Sequence, residues 1–77
     1  MERKIKLIWD FRGPDAIETA KHHTINLKEF ATIENLQFHE IDIKELNHML
    51  CAAFIVVNES DMKVYRDALK PQRGELA

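Results

Sequence analysis

Residues 49–57 read MLCAAFIVV, which is the longest apolar run in the chain. Successive side chains of a β-strand point to opposite faces of its sheet. In this run, the odd-numbered positions 51–57 and the even-numbered positions 52–56 are all apolar. A strand that is apolar on both faces is typical of a central strand covered on both sides. The run therefore predicts the strand around which the rest of the fold is arranged.

Two further stretches have the pattern of strands. Residues 4–11 read KIKLIWDF and alternate with a period of two, which indicates a strand with one buried face. That face would carry Ile5, Leu7, Trp9 and Phe11, and the other Lys4, Lys6, Ile8 and Asp10. Residues 36–43 are predicted as another strand, joined to the apolar run by a connection over residues 44–48.

A long helix is predicted between the first two strands. Pro14 suits the first helical position, Asp15 and Glu18 suit the positive end of the helix dipole, and Asn35 suits the C-terminal stop. At 100° per residue, the helix has one largely apolar face. Its members are Ala16, Ile17, Ala20, His23, Thr24, Leu27, Phe30 and Ala31.

A second, shorter helix is predicted after the apolar run. Ser60 is a natural N-cap and Pro71 a natural stop. The amphipathic stripe consists of Met62, Tyr65, Arg66 and Leu69. Residues 72–77 are few and polar, so a final strand is predicted to be short or missing.

The predicted order β-α-β-β-α describes a single α+β domain over residues 1–77. Right-handed crossover connections place both helices on one face of an antiparallel sheet. The first and third strands would then be central neighbours, with the second strand at an edge. This is a ferredoxin-like, split βαβ arrangement.

Composition excludes several classes of protein. The net charge of −2 gives no bulk attraction to nucleic acid or to anionic membranes. The N-terminus has no signal-peptide pattern, and the run at 49–57 is too short to span a bilayer. The lone Cys51 lies among apolar residues, where a cysteine acts as a small hydrophobe. We expect a cytoplasmic protein with no nucleic-acid or membrane partner and no cofactor.

This topology and patterning resemble the dimeric α/β-barrel superfamily, whose small ferredoxin-like subunits pair sheet to sheet. The resemblance covers nearly the whole chain. In the first helix, His23, Leu27 and Phe30 resemble a histidine-bearing core face of some members. It implies a homodimer. It also implies functions as diverse as monooxygenase, haem degradation and isomerisation, without identifying a catalytic residue.

The histidines are the obvious candidates for a site. His23 lies at the edge of the core face of the first helix, and a pocket formed with Trp9, Phe30 and His39 is one interpretation. A hydrogen-bonded, half-buried core histidine is the other. Glu18 and His22 are four residues apart on a helix but lack a third ligand, so we expect no tight zinc or nickel site.

Arg12 and Gly13 precede the first helix, where free N–H groups and the helix dipole converge. The spacing matches neither a Walker loop nor a dinucleotide-binding loop. Anion binding through Arg12 is therefore one interpretation. A plain turn, with Arg12 paired to Asp10 or Asp15, is the other.

Two functions remain open at this stage. The first is a homodimeric module that binds a small ligand or a partner without catalysis. The second is a dimeric α/β-barrel-type enzyme, monooxygenase- or isomerase-like, that acts on a small hydrophobic or aromatic substrate with His23 as general base. A cavity beside His23 would favour the enzyme, and a solid core would favour the binding module.

A homodimer is expected because both predicted helices lie on one face of the sheet. The other face would then expose Ile8 together with one set of apolar side chains from residues 49–57. Contiguous exposed apolar patches commonly mark interfaces, and oligomerisation supplements the small core of a short chain. Closed two-fold pairing is the most common form.

Overall fold

Four strands and two helices build the protein, as seen in a computed structural model that describes residues 2–77. In chain order they are β1 (Lys4–Arg12), α1 (Ala16–Ile33), β2 (Glu40–Asn47), β3 (Leu50–Asn58), α2 (Glu59–Leu69) and β4 (Arg73–Leu76). The strands form one antiparallel sheet in the order β2-β3-β1-β4. The fold is therefore α+β and compatible with a ferredoxin-like topology.

The sheet is centred on β1 and β3, as the sequence predicts. These strands pair along their whole length, from Lys4 opposite Asn58 to Arg12 opposite Leu50. β2 pairs only with β3 and β4 only with β1, so both are edge strands. Because the two strands pair along their whole length, their register determines which side chains share a face of the sheet and where each candidate site lies.

A short fourth strand forms, so the interpretation without a final strand is wrong. β4 pairs with residues 5–8 of β1. Polar contacts to Asp10 attach it: the Asp10 N–H donates to Gln72 Oε1 at 3.0 Å, and Arg73 Nη2 donates to the Asp10 carboxylate at 3.0 Å. These partners lie more than sixty residues apart in the chain, so local pattern could not predict the strand.

The strand predicted over residues 36–43 in fact begins at Glu40, and Leu36 takes part in the cap that follows α1. Asn35 has φ of 55°, its N–H donates to Thr32 O at 3.2 Å, and the Leu36 N–H donates to Ala31 O at 2.8 Å. This pair of bonds is the Schellman arrangement that satisfies the last carbonyls of a helix. The Leu36 side chain packs against the main core cluster.

The hairpin between β2 and β3 is tighter than predicted. Only His48 and Met49 lie between the strands, instead of residues 44–48. Asn47 Oδ1 accepts the Met49 N–H at 2.8 Å, and the register shifts between Glu45 and Asn47. An asparagine side chain that mimics a backbone turn in this way shortens the connection.

The helix ends also differ from the prediction by one or two residues. α1 begins at Ala16 rather than Pro14, which lies in the preceding turn. α2 begins at Glu59 with Asn58 as its N-cap, rather than with Ser60. Neither helix is long and apolar enough to cross a membrane.

The helices pack on the same face of the sheet and form the main core there. The central cluster consists of Ile5, Leu7, Trp9, Leu27, Ala31, Ile55, Val57 and Tyr65. A second cluster of small residues, Ala16, Ala20, Cys51 and Ala53, lies where α1 crosses β3. We call the opposite face of the sheet the open face; its apolar cluster is Ile8, Ala52, Phe54 and Val56.

We predict that Gly13→Ala destabilises the fold by about 1–3 kcal/mol, because Gly13 has φ of 110°, a conformation that costs roughly that much in a residue with a side chain. Gly74→Ala is the matched control, since its added Cβ would lie at an ordinary 3.6 Å from Leu7 Cδ2. We expect the control to stay within about 0.5 kcal/mol of wild type. Urea unfolding of both variants checks this, and equal losses would contradict it.

Candidate functional site

The structure brings His23 together with two aromatic rings on the helix face. The centroid of the His23 ring lies 4.6 Å from the centroid of Trp9 and 5.5 Å from that of Phe11, both rings being tilted. Trp9 is itself fixed, because its Nε1–H donates to Leu69 O at 2.8 Å. β1 therefore supplies the aromatic surface against which the imidazole from α1 packs.

The environment of His23 favours the neutral form of its imidazole. Burial lowers the pKa of His23, because removal of water disfavours the charged form. Its Nε2 is buried and has no hydrogen-bond partner within residues 2–77. A neutral imidazole is chemically competent as a base, and in this position it packs against two aromatic rings.

The other predicted site residues do not converge on His23. Phe30 packs against Tyr65, with 5.5 Å between ring centroids. His39 precedes β2 instead of lying on its inner face; it is exposed, with Nε2 2.6 Å from Asn58 Oδ1. His39 and Arg12 lie near opposite ends of β3, because the His39 N–H donates to Val56 O and Arg12 pairs with Leu50. Val56 and Leu50 are six residues apart along the strand, which corresponds to about 20 Å.

Arg12 lines a separate concavity at the hairpin end of the sheet. This concavity measures about 330 Å³, and Gly13, Asn47, Met49 and Leu50 form the rest of its wall. The predicted pairing of Arg12 with Asp10 or Asp15 is not observed, because the Asp10 carboxylate bonds to Arg73 instead. Trp9, His23 and Phe30 line none of the surface concavities described within residues 2–77.

A second cluster of chemically interesting side chains lies on the open face. Here the central strands and both edge strands surround a concavity of about 100 Å³. Its floor is apolar and consists of Ile8, Ala52 and Phe54, and its rim consists of Lys6, Lys44, Arg73 and Glu75. The register explains this arrangement, since Ile8 pairs with both Phe54 and Arg73.

The charged side chains on this rim differ in whether they have an ionic partner. Arg73 bonds Asp10 at 3.0 Å and Glu75 at 3.5 Å. Lys6 instead places Nζ 4.2 Å from the centroid of the Phe54 ring, a cation–π contact. Within residues 2–77, neither Lys6 nor Lys44 forms an ion pair. The concavity therefore has two available ammonium groups above an apolar floor.

Sequence reasoning missed this concavity, although part of its signal was present. The alternation in residues 4–11 assigns Lys6 and Ile8 to one face. Arg73 and Glu75 belong to β4, which the sequence predicted to be short or missing, and Lys44 was assigned to a loop rather than to β2. Without the fourth strand and the correct β2 register, the rim cannot be assembled.

Metal binding and thiol chemistry find no support in the arrangement of residues 2–77. No group of three histidine, cysteine, aspartate or glutamate side chains is close enough to hold a metal ion. Cys51 is buried, and burial, with the nearby Glu45 carboxylate, raises the pKa of its thiol. A thiol with a raised pKa carries less of the reactive thiolate.

Comparison with protein-family models, with curated proteins and with solved structures finds no significant match to this chain. The compatibility with a ferredoxin-like topology therefore rests on the order and pairing of the elements alone.

We predict that the free energy of unfolding falls as pH drops below about 6.5, the ordinary histidine value. The pKa of His23 is lowered in the folded state, so the unfolded chain binds a proton there that the folded protein rejects. His23→Phe should reduce this acid-dependent loss. His22→Gln, which changes an exposed neighbour, should retain it. Urea unfolding between pH 7 and pH 5 measures the difference, and an unchanged slope in His23→Phe would contradict the assignment.

Proposed function

We propose that the protein is a homodimeric interaction and ligand-binding module that pairs through its open face. The observation that carries this proposal is the pattern of that face: an apolar strip along the centre, flanked by charges of alternating sign. The helix face has its own cover in α1 and α2, whereas the open face has only its own side chains.

The apolar strip on the open face is less exposed than the sequence suggested. Ile8, Ala52, Phe54 and Val56 are only 4%, 5%, 9% and 7% exposed. They form a shallow floor between longer charged side chains, and the Lys6 ammonium lies over the Phe54 ring. Lysine and arginine stems commonly cover apolar surface in this way. Such flexible cover can be displaced by a complementary partner.

Four charges of the open face, those of Lys6, Asp10, Glu40 and Lys44, are self-complementary under a two-fold rotation. Phe54 pairs with Ile8 on one side and with Asp42 on the other, which defines a central row across the sheet. Lys6 and Asp10 lie equally far from this row along β1, as do Glu40 and Lys44 along β2.

A two-fold axis along the central row would bring each of these four charges opposite one of the other sign in the second copy, whereas Lys4 would face the second Arg12 and Arg73 would face its own copy. Glu40 would face the second Lys44, and Lys6 would face the second Asp10. Stacked sheets cross at about 30°, so an edge residue such as Asp42 would not lie directly opposite Asp42 of the second copy.

The open face is small compared with the interface of a stable dimer, so most of it would have to be covered. Four strands about 4.8 Å apart, with central strands of nine residues at about 3.3 Å each, give a flat area of roughly 500 Å². Protruding side chains raise the accessible area above this value. Stable interfaces bury about 800 Å² from each partner, which the face approaches only if most of it is covered. The pairing we propose therefore uses the whole face.

The enzyme alternative, with His23 as general base, stays a prediction. Its imidazole packs against Trp9 and Phe11, and no described concavity gives a substrate access to it. The open face combines accessible charge with an apolar floor. We therefore assign binding to that face and no catalytic step to His23.

Light scattering at micromolar concentration tests the pairing and should give twice the monomer mass. Glu40→Lys should weaken association about five- to thirtyfold, because it replaces two attractive contacts in the dimer by two repulsive ones at a cost of roughly 1–2 kcal/mol. Adding Lys44→Glu to this variant should restore the dimer, since the charges are then exchanged.

The matched control is Glu29→Lys, a charge reversal on the exposed side of α1. It should leave the dimer intact. A monomer mass for the wild type over the accessible concentration range would overturn the proposal. A dimer that is indifferent to Glu40→Lys would overturn the open-face arrangement.

A further inference from the structure

We propose that the concavity on the open face is a binding site for a small organic carboxylate with an apolar, ring-sized body. This inference deepens the proposed function by naming the class of ligand. The enclosure of the ligand between two copies rests on the proposed pairing, whereas every residue of the site belongs to one chain.

The preference for an anion follows from the two available lysines. Lys6 lies opposite Val56 and Lys44 opposite Ala52, so they flank Phe54 from opposite diagonals and line the same concavity. Neither forms an ion pair within residues 2–77. A carboxylate between the two ammonium groups would accept hydrogen bonds from both. Charge-assisted bonds of this kind are the stronger ones in proteins.

The single acidic residue on the rim does not reverse this preference. Glu75 Oε1 lies 3.5 Å from Arg73 Nη1, so its charge is already balanced by a neighbour. The three basic side chains and one acidic side chain that line the concavity, taken with the Asp10 carboxylate that bonds Arg73, sum to one positive charge. This excess suits a single carboxylate better than a cation or a neutral ligand.

The apolar floor determines the rest of the ligand. Ile8, Ala52 and Phe54 offer hydrocarbon and one aromatic face. The volume of about 100 Å³ is smaller than the roughly 150 Å³ of a dry protein cavity that holds benzene. One copy therefore covers one side of a ring, and the floor of the second copy would cover the other. An unsubstituted aromatic or compact aliphatic carboxylate fits this description.

The lysines can contact the second copy and the ligand at the same time. An ammonium group has three donors, so a rim contact to Glu40 or Asp10 of the second copy leaves donors for the carboxylate. Two copies face to face bring four of these lysines together. A bound anion would offset their mutual repulsion, so the ligand is expected to strengthen the dimer.

The test uses benzoate as the probe and benzamide as its neutral counterpart, in titrations of the isotope-labelled protein followed by NMR at constant ionic strength. Benzoate should produce saturable shifts at the amides of Ile8, Ala52 and Phe54. Benzamide should bind about tenfold more weakly, because it lacks the charge that contributes most to such hydrogen bonds.

Lys44→Gln is the deciding variant, since Lys44 lies exposed on an edge strand and contributes no core contact. It should weaken benzoate binding about tenfold. Lys6→Gln should do the same but also removes the contact with Phe54. Lys63→Gln, on the exposed side of α2, is the matched control and should leave binding unchanged.

Light scattering on the same samples separates this inference from the proposed function. A dimer that shows no saturable binding, or one that binds benzoate and benzamide equally, overturns the carboxylate site alone. Unchanged benzoate affinity in Lys44→Gln also overturns it. A monomer that binds benzoate through Lys44 supports the site and overturns the pairing. A monomer without binding overturns both.

Discussion

The nine-residue strand β3 contributes apolar side chains to both faces of the sheet and pairs with a neighbour along each edge. Its backbone groups are satisfied by β1 and β2, so only its side chains need cover. On one face, α1 and α2 supply that cover with leucine, alanine and tyrosine side chains. On the other face no helix is present, and the cover comes from charged neighbours on β1, β2 and β4. The different chemistry of the two faces follows from this single strand.

The two candidate sites lie on these two faces and differ for the same reason. His23 is half-buried where helix and sheet pack together, so its pKa is lowered. Lys6 and Lys44 are held where only side chains cover the sheet, so their charges remain available. Tight packing favours a structural role, because a reacting group needs access to its substrate. Loose, charged cover favours binding, since it can rearrange around a ligand or a second copy.

The sequence alone predicted the elements whose periodicity is strong. β1, α1 and β3 were placed to within about two residues because apolar spacing and end signals agree there. The start of β2 was placed too early because Leu36 continues an apolar pattern but takes part in the cap that follows α1. Whether β4 forms was left open because it depends on Asp10, Gln72 and Arg73, which meet only in the folded chain. Of the candidate site, the aromatic contact of His23 was predictable, whereas the open-face rim required this fourth strand.

The arrangement of β1 also determines the order in which the chain can assemble. β2 and β3 are consecutive and form a hairpin from local contacts, but β1 pairs only with β3 and β4. During synthesis, Ile5, Leu7 and Trp9 therefore emerge some forty residues before their first partner strand. Such long-range pairing is intrinsically slow. The charges of Lys4, Lys6 and Asp10 interrupt this apolar segment, which is the pattern by which sequences lower the aggregation tendency of an exposed strand.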